Sequence, residues 1–222
     1  HPGVLDPLAF IEYPLGGLMI MPLLSRQMPV CVREEKARRW FERVLDAVGW
    51  MHARGVVHND IKPANIMLTE DDQPVLIDFG FAQHHPEEKE ERFQSQLAYG
   101  TPEYLSPERA RGQKHDTRKS DVWSLGVTFF EVLAGRTPFE NTPAPSSDSH
   151  ASVEDGEEGR VKADPDMSTA EGLKVYWERT VKGEWVGEWV MSRGAEKLLK
   201  RMMNPSAEGR PWAQTCMADP YF

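Results

Sequence analysis

Cysteine is scarce in this chain of 222 residues, with only Cys31 and Cys216 present. Two thiols so far apart in sequence give neither a disulfide framework nor metal-ligand spacing, which favours a reducing compartment: intracellular, cytoplasmic or nuclear. Long apolar runs are also missing. The longest candidate, Leu15 to Leu24, carries Pro22 and falls short of the roughly 18 residues of a membrane span, so no membrane partner is expected. Basic charge is in deficit, with 26 Lys and Arg against 35 Asp and Glu and a net charge of −9, which argues against nucleic acid as a partner. The chain starts His1-Pro2-Gly3, with nothing of a secretory signal about it. Core material, by contrast, is ample. Seven Trp, nine Phe and 40% apolar residues exclude wholesale disorder, collagen and coiled coil, and no internal repeat is visible.

Hydrophobic spacing then divides the chain. Leu8 to Tyr13 and Leu18 to Met21 read as short strands around the turn Pro14-Leu15-Gly16-Gly17. Over 33–54 the residues Ala37, Trp40, Phe41, Val44, Leu45, Val48 and Met51 recur at steps of three and four, which predicts a helix stopped by Gly55. Glu34 and Glu35 stand four residues before Arg38 and Arg39, the favourable order for helix ion pairs. Short apolar runs at 55–58, 66–68 and 75–77 read as brief strands carrying loops. Residues 121–134 are apolar almost all round and predict a buried central helix. From Asn141 to Ala170 seven acids face only Arg160 and Lys162, with hardly an aliphatic residue; this predicts a solvated, disordered acidic insertion. Helices return at about 171–182 and 193–203, the second capped by Ser192 and closed by Pro205.

The chemistry concentrates in His58-Asn59-Asp60-Ile61-Lys62-Pro63-Ala64-Asn65 and in Asp78-Phe79-Gly80. Two carboxylates, an amide and an ammonium on loops that follow short strands suit Mg²⁺ and phosphate. Hard cations take carboxylate and amide oxygens, and an ammonium is a point charge for phosphate. Three further stretches follow in order. They are Gly100-Thr101-Pro102-Glu103-Tyr104-Leu105-Ser106-Pro107-Glu108, Asp121-Val122-Trp123-Ser124-Leu125-Gly126-Val127, and Arg210 after Asn204-Pro205. Together these resemble the catalytic loop, magnesium loop, activation-segment end, central helix and ion-pairing arginine of eukaryotic-type serine/threonine protein kinases.

That resemblance implies an α+β, protein-kinase-like fold: a mostly helical large lobe with short hinge strands at its start. Residues 1–24 would be the end of the small lobe and the hinge, and 25–140 the large lobe with catalytic loop and activation segment. The acidic insertion would occupy 141–170 and the last helices 171–222. Asp60 would accept or orient the proton of a protein Ser or Thr hydroxyl, and Lys62 would steady the transferring γ-phosphate of ATP. Thr101 would contact both. Asn65 and Asp78 would hold Mg²⁺. Met67 would floor the adenine and Met21 to Leu24, with Met21 and Leu23 as contacts, would form the hinge strand at its edge. His58 would be a packed histidine supporting Phe79, Asp121 would cap the catalytic-loop backbone, and Glu108 would pair with Arg210. His84 and His85 would be solvated loop residues and Glu87 to Arg92 an exposed face of the activation segment. Glu131 matches a position that meets an upstream substrate arginine in basophilic relatives, although its companion in the catalytic loop is Ala64.

The chain departs from the pattern at Asn59. The family carries an arginine there that grips a phosphorylated activation loop, so activity independent of loop phosphorylation is expected. The glycine-rich loop, the strand lysine and the helix glutamate of the small lobe have no counterpart in these residues. The 222 residues alone are therefore expected to be an inactive fragment. A truncated pseudokinase or interaction module is the alternative to a catalytic protein kinase. A small-molecule kinase of the same broad fold is disfavoured by the peptide-facing loop at 100–108.

Overall fold

The computed structural model describes residues 1–85, 93–141 and 168–222. The acidic run from 142 to 167 and the charged run Glu87 to Arg92 lie outside the described residues.

The chain opens with an antiparallel hairpin, β1 (Ala9–Tyr13) with β2 (Gly16–Ile20), in the register Ala9 opposite Ile20 to Tyr13 opposite Gly16. Gly16 and Gly17 belong to the second strand rather than to the turn. Every residue of both strands is exposed, Phe10, Ile11, Leu18 and Met19 among them. The expected hinge strand does not form: β2 ends at Ile20, and Met21 to Leu24 have no regular structure. Pro22 has no N–H to donate to a ladder.

A three-stranded sheet follows in the order β3 (Arg26–Gln27), β5 (Ile66–Leu68), β6 (Pro74–Leu76). Helix α1 (Glu34–Ala53) buries the face written in the sequence, from Ala37 through Trp40, Phe41 and Val44 to Met51. Gly55 at φ +79° ends it, a left-handed turn that glycine adopts without strain. The acid-first pairs on α1 do not close. Glu34 accepts hydrogen bonds from the Ser192 N–H and hydroxyl, and Arg38 donates to the Phe222 carbonyl. Tertiary partners thus outcompete surface pairs that are worth only a few tenths of a kcal/mol each.

Strand β4 (Val56–Val57) pairs with β7 (Gln83–His84), so His84 is in a strand, not a loop. Beyond it β8 (Gln94–Ser95) pairs with β9 (His115–Asp116). The short helix α2 (Pro107–Ala110) precedes the longer α3 (Thr117–Ala134). Asp116 caps α3 by accepting the Arg118 N–H, and Gly135 at φ +76° closes it. Fourteen of its residues are buried, the apolar ones from Val122 to Val132 among them, as expected of a helix packed on nearly every side. The rings of Phe41 and Phe129 stack at 3.5 Å and join α1 to α3. Helices α4 (Ala170–Lys182), α5 (Arg193–Met202) and α6 (Ala213–Met217) complete the domain. The Ser192 hydroxyl accepts the Ala195 N–H at the start of α5. α5 lies against α3 at Gly126, where a Cβ would come within 2.7 Å of the Met203 side chain. Among the described residues one core runs through α1, α3, α5 and α6.

Candidate active site

Asp121 organises the loop that leaves β4. It is fully buried near the start of α3. Its Oδ1 accepts the Asn59 N–H at 2.8 Å, and its Oδ2 accepts the His58 N–H and His52 Nε2, both at 2.9 Å. Burial opposes its charge, but His52, His58 and the loop amides outweigh that and keep the carboxyl below its ordinary range. One side chain thereby satisfies backbone donors that an irregular buried loop would otherwise leave unpaired.

His58 is anchored from both nitrogens: Nε2 reaches the Ile77 carbonyl at 3.0 Å and Nδ1 faces the Asp60 N–H at 3.3 Å. A carbonyl only accepts and an amide only donates, so Nε2 carries the proton and Nδ1 the lone pair. The ring also packs on Phe79, with centroids 4.9 Å apart.

Asp60 then projects into a dense polar cluster. Its Oδ1 accepts the Thr101 N–H at 3.0 Å and the Thr101 hydroxyl at 2.8 Å, while Oδ2 faces the Lys62 ammonium at 3.0 Å and the Asn65 amide at 2.9 Å. Lys62 Nζ also donates to Thr101 Oγ1 at 2.6 Å. Burial works against the charge on Asp60, but the hydrogen bonds from Thr101 and Lys62 and the Lys62 charge overcome it, holding the carboxyl below the usual range. It is therefore a carboxylate at neutral pH, able to accept a proton or orient a hydroxyl.

Asn65 donates from Nδ2 both to the Asp60 side chain and, at 2.8 Å, to the Asp60 carbonyl. Its amide oxygen is the atom left for a cation. Asp78 lies on the neighbouring strand exit, because the Ile77 N–H binds the Asn65 carbonyl at 3.0 Å. Asp78 is exposed, in a left-handed conformation at φ +60°, with Oδ1 accepting the Gly80 N–H. An amide oxygen and an exposed carboxylate on adjoining backbone fit Mg²⁺, which takes few protein ligands and keeps water and phosphate oxygens for the rest. Among the described residues, no cluster of three or more His, Cys, Asp or Glu offers an all-protein metal cage.

Met67 sits in the middle of the three-stranded sheet, paired with Val75 and Gln27. Met21 is exposed and the Leu23 side chain is fully so, so the structure leaves both at the surface beside the hairpin.

Several contacts carry no local signature in the sequence. Asn59 sits at φ +69° and donates from Nδ2 to the Phe81 carbonyl at 3.0 Å. Phe81 stacks on Tyr99 at 5.5 Å, and the buried Arg109 guanidinium lies 4.8 Å from the Tyr99 ring centre. Gly100 at φ +121° passes so close that a Cβ there would stand 3.1 Å from the Asn59 carbonyl. Tyr104 donates its hydroxyl to Glu131, so one oxygen of that acid is already engaged. His52 could have been suspected only from its place on the buried face of α1. Glu108 and Arg210 form a bidentate pair, Nη1 to Oε1 and Nη2 to Oε2, each 2.6 Å.

The chain has counterparts among known proteins. Residues 8–222 match the protein kinase domain family, and the chain belongs to that family. Among curated proteins it is similar to CBL-interacting protein kinase 9 of Oryza sativa subsp. japonica, 30% identical over 96% of this chain and 39% of that protein. CBL-interacting protein kinase 12 of the same plant is 38% identical over 59% of this chain and 23% of its own length. Serine/threonine-protein kinase AtPK1/AtPK6 of Arabidopsis thaliana is 30% identical over 94% of this chain and 45% of its own. The chain thus spans less than half the length of these relatives.

Proposed function

We propose that this domain transfers the γ-phosphate of ATP to a serine or threonine hydroxyl of a protein. The observation that carries the reading is the closed triangle of Asp60, Lys62 and Thr101, which fixes an ionised carboxylate and an ammonium 3.0 Å apart. Phosphoryl transfer needs little covalent help from the protein, so positioning and charge supply most of the catalysis. In this reading Asp60 accepts the hydroxyl proton as the oxygen attacks. Lys62 meets the charge that spreads over the phosphoryl oxygens. Thr101 keeps the two apart from competing partners by bonding both. Asn65 Oδ1 and Asp78 would hold Mg²⁺, which neutralises phosphate charge when bound. Met67, Met21 and Leu23 are proposed to line the adenine. The free thiols of Cys31 and Cys216 support an intracellular setting.

The test is a pair of measurements on the full-length natural protein. Nucleotide binding that requires Mg²⁺ and disappears in Asp78→Ala, together with phosphate transfer to protein lost in Asp60→Asn, is the expected result. Absence of both in the unaltered protein would instead leave a non-catalytic interaction module.

A further inference from the structure

Away from the catalytic loop, α4 and the residue that ends α2 enclose a cleft of about 600 Å³, lined by Arg111, Ala170, Lys174, Trp177, Glu178, Val181 and Lys182. Its floor is apolar, with Trp177 and Val181 half-buried, and its rim is charged and exposed. Three cations stand there against one carboxylate. Arg111 and Lys174 take part in no ion pair among the described residues. Lys182 has only Glu184, 3.9 Å away with both side chains well exposed, a contact of little strength in water. The indole N–H of Trp177 is buried with no acceptor among the described residues.

We propose that this cleft docks an acidic segment of a partner protein, one carrying an aliphatic or aromatic side chain between its carboxylates. The local surplus of positive charge is the argument. It occurs on a chain whose net charge is −9, so an extended polyanion such as nucleic acid is repelled by the molecule as a whole. A short acidic peptide meets mainly the rim, because charges beyond a Debye length of about 10 Å are screened. The apolar side chain would fill the floor. The site does not touch the Asp60 cluster, so the proposal stands whether or not the domain transfers phosphate.

The probe is a fluorescein-labelled decapeptide alternating glutamate with leucine and phenylalanine, titrated into the full-length protein and read by anisotropy. A counterpart with lysine for glutamate and a single-stranded oligonucleotide serve as competitors. Saturable binding that weakens with salt, and falls about ten-fold or more in Arg111→Glu/Lys174→Glu, is the expected outcome. Both positions are exposed, and an unchanged unfolding midpoint verifies that the variant folds. Equal competition by the lysine peptide or the oligonucleotide overturns the proposal, as does binding indifferent to the charge reversal. Self-association abolished by the same reversal would make a second copy the occupant and would also overturn it. Binding seen only after removal of residues 142–167 would assign the cleft to the chain's own acidic stretch, and the partner-protein proposal would fall with it.

Discussion

Arg210 and Glu108 meet in a two-pronged ion pair across 102 residues of chain, with the Arg210 side chain wholly buried. The pair ties α2 to the segment between α5 and α6. Arg210 also donates to the carbonyls of Asn204, Pro205 and Lys119, so its guanidinium leaves little hydrogen-bonding capacity unused.

Removing one partner strands the other in the interior. Arg210→Ala should therefore lower stability by about 3–5 kcal/mol, whereas replacing both partners with apolar residues of similar volume should cost much less. Urea unfolding of the two variants checks this. Similar losses in both would mean that the pair itself, not the orphaned carboxylate, carries the stability.

Acid should weaken the fold through the same group. Burial disfavours the charge on Glu108, but the hydrogen bonds and charge of Arg210 prevail and depress its folded-state value; Asp121 is depressed as well. A depressed carboxyl adds stability above its unfolded value of about 4, and that contribution is lost as pH falls through the folded value. Stability should thus be level near neutrality and decline below about pH 4. A decline already under way between pH 7 and 6 would point to histidines instead.

Thr101→Ala removes the hydroxyl that donates to Asp60 Oδ1 and accepts from Lys62. With that hydrogen bond gone, the Asp60 carboxylate is less favoured, so the acid limb of the activity profile should move to higher pH. The rate should drop by about 10²-fold, the lower end of what acid–base positioning supplies. Thr101→Ser should restore both. A lower rate with an unmoved acid limb would separate Thr101 from the charge on Asp60.

Phosphatase treatment and Ser95→Ala should leave activity unchanged. Asn59 offers no guanidinium for a phosphate, and the segment is held instead by the Asn59–Phe81 bond, the Phe81–Tyr99 stack and Arg109 over Tyr99. Tyr99→Ala, which breaks that column, should reduce activity. A loss on Ser95→Ala reversed by Ser95→Asp would show that charge on this segment matters after all.

Gly126→Ala should destabilise the domain by about 1–3 kcal/mol, the range for overpacking. The new methyl group would meet Met203 at 2.7 Å and Met202 at 3.2 Å; Met202 is the last residue of α5 and Met203 follows it. Met203→Ala in the same chain should recover part of the loss if the clash is its origin, which thermal unfolding would show.

Much of the architecture was legible in the chain because helix packing leaves a periodic trace. The stripe from Ala37 to Met51 and the apolar run from Val122 to Val132 each appear as buried helix faces. The loop motifs were legible for a different reason. Asp60, Lys62, Asn65 and Asp78 are polar residues on loops that follow short strands, and their spacing carries the family pattern. The hinge was not legible. Apolar residues from Leu18 to Leu24 read as strand, yet Pro22 ends the ladder and exposed positions can hold apolar side chains without a partner.

Local sequence therefore determined the four long helices, the cap at Ser192, the stop at Gly55, and which side chains could hold phosphate and a hard cation. Contacts over 41 to 102 residues leave no periodic trace; only the family resemblance suggests them, and the packing closes them: Thr101 on Asp60, Asp121 beneath the His58 loop, and Arg210 on Glu108. Periodicity records which face of an element is buried, but not what it is buried against. The same limit hid Glu34 on Ser192 and the Phe81–Tyr99–Arg109 column, since a side chain's partner is chosen by the packing of whole helices and not by its neighbours in the chain.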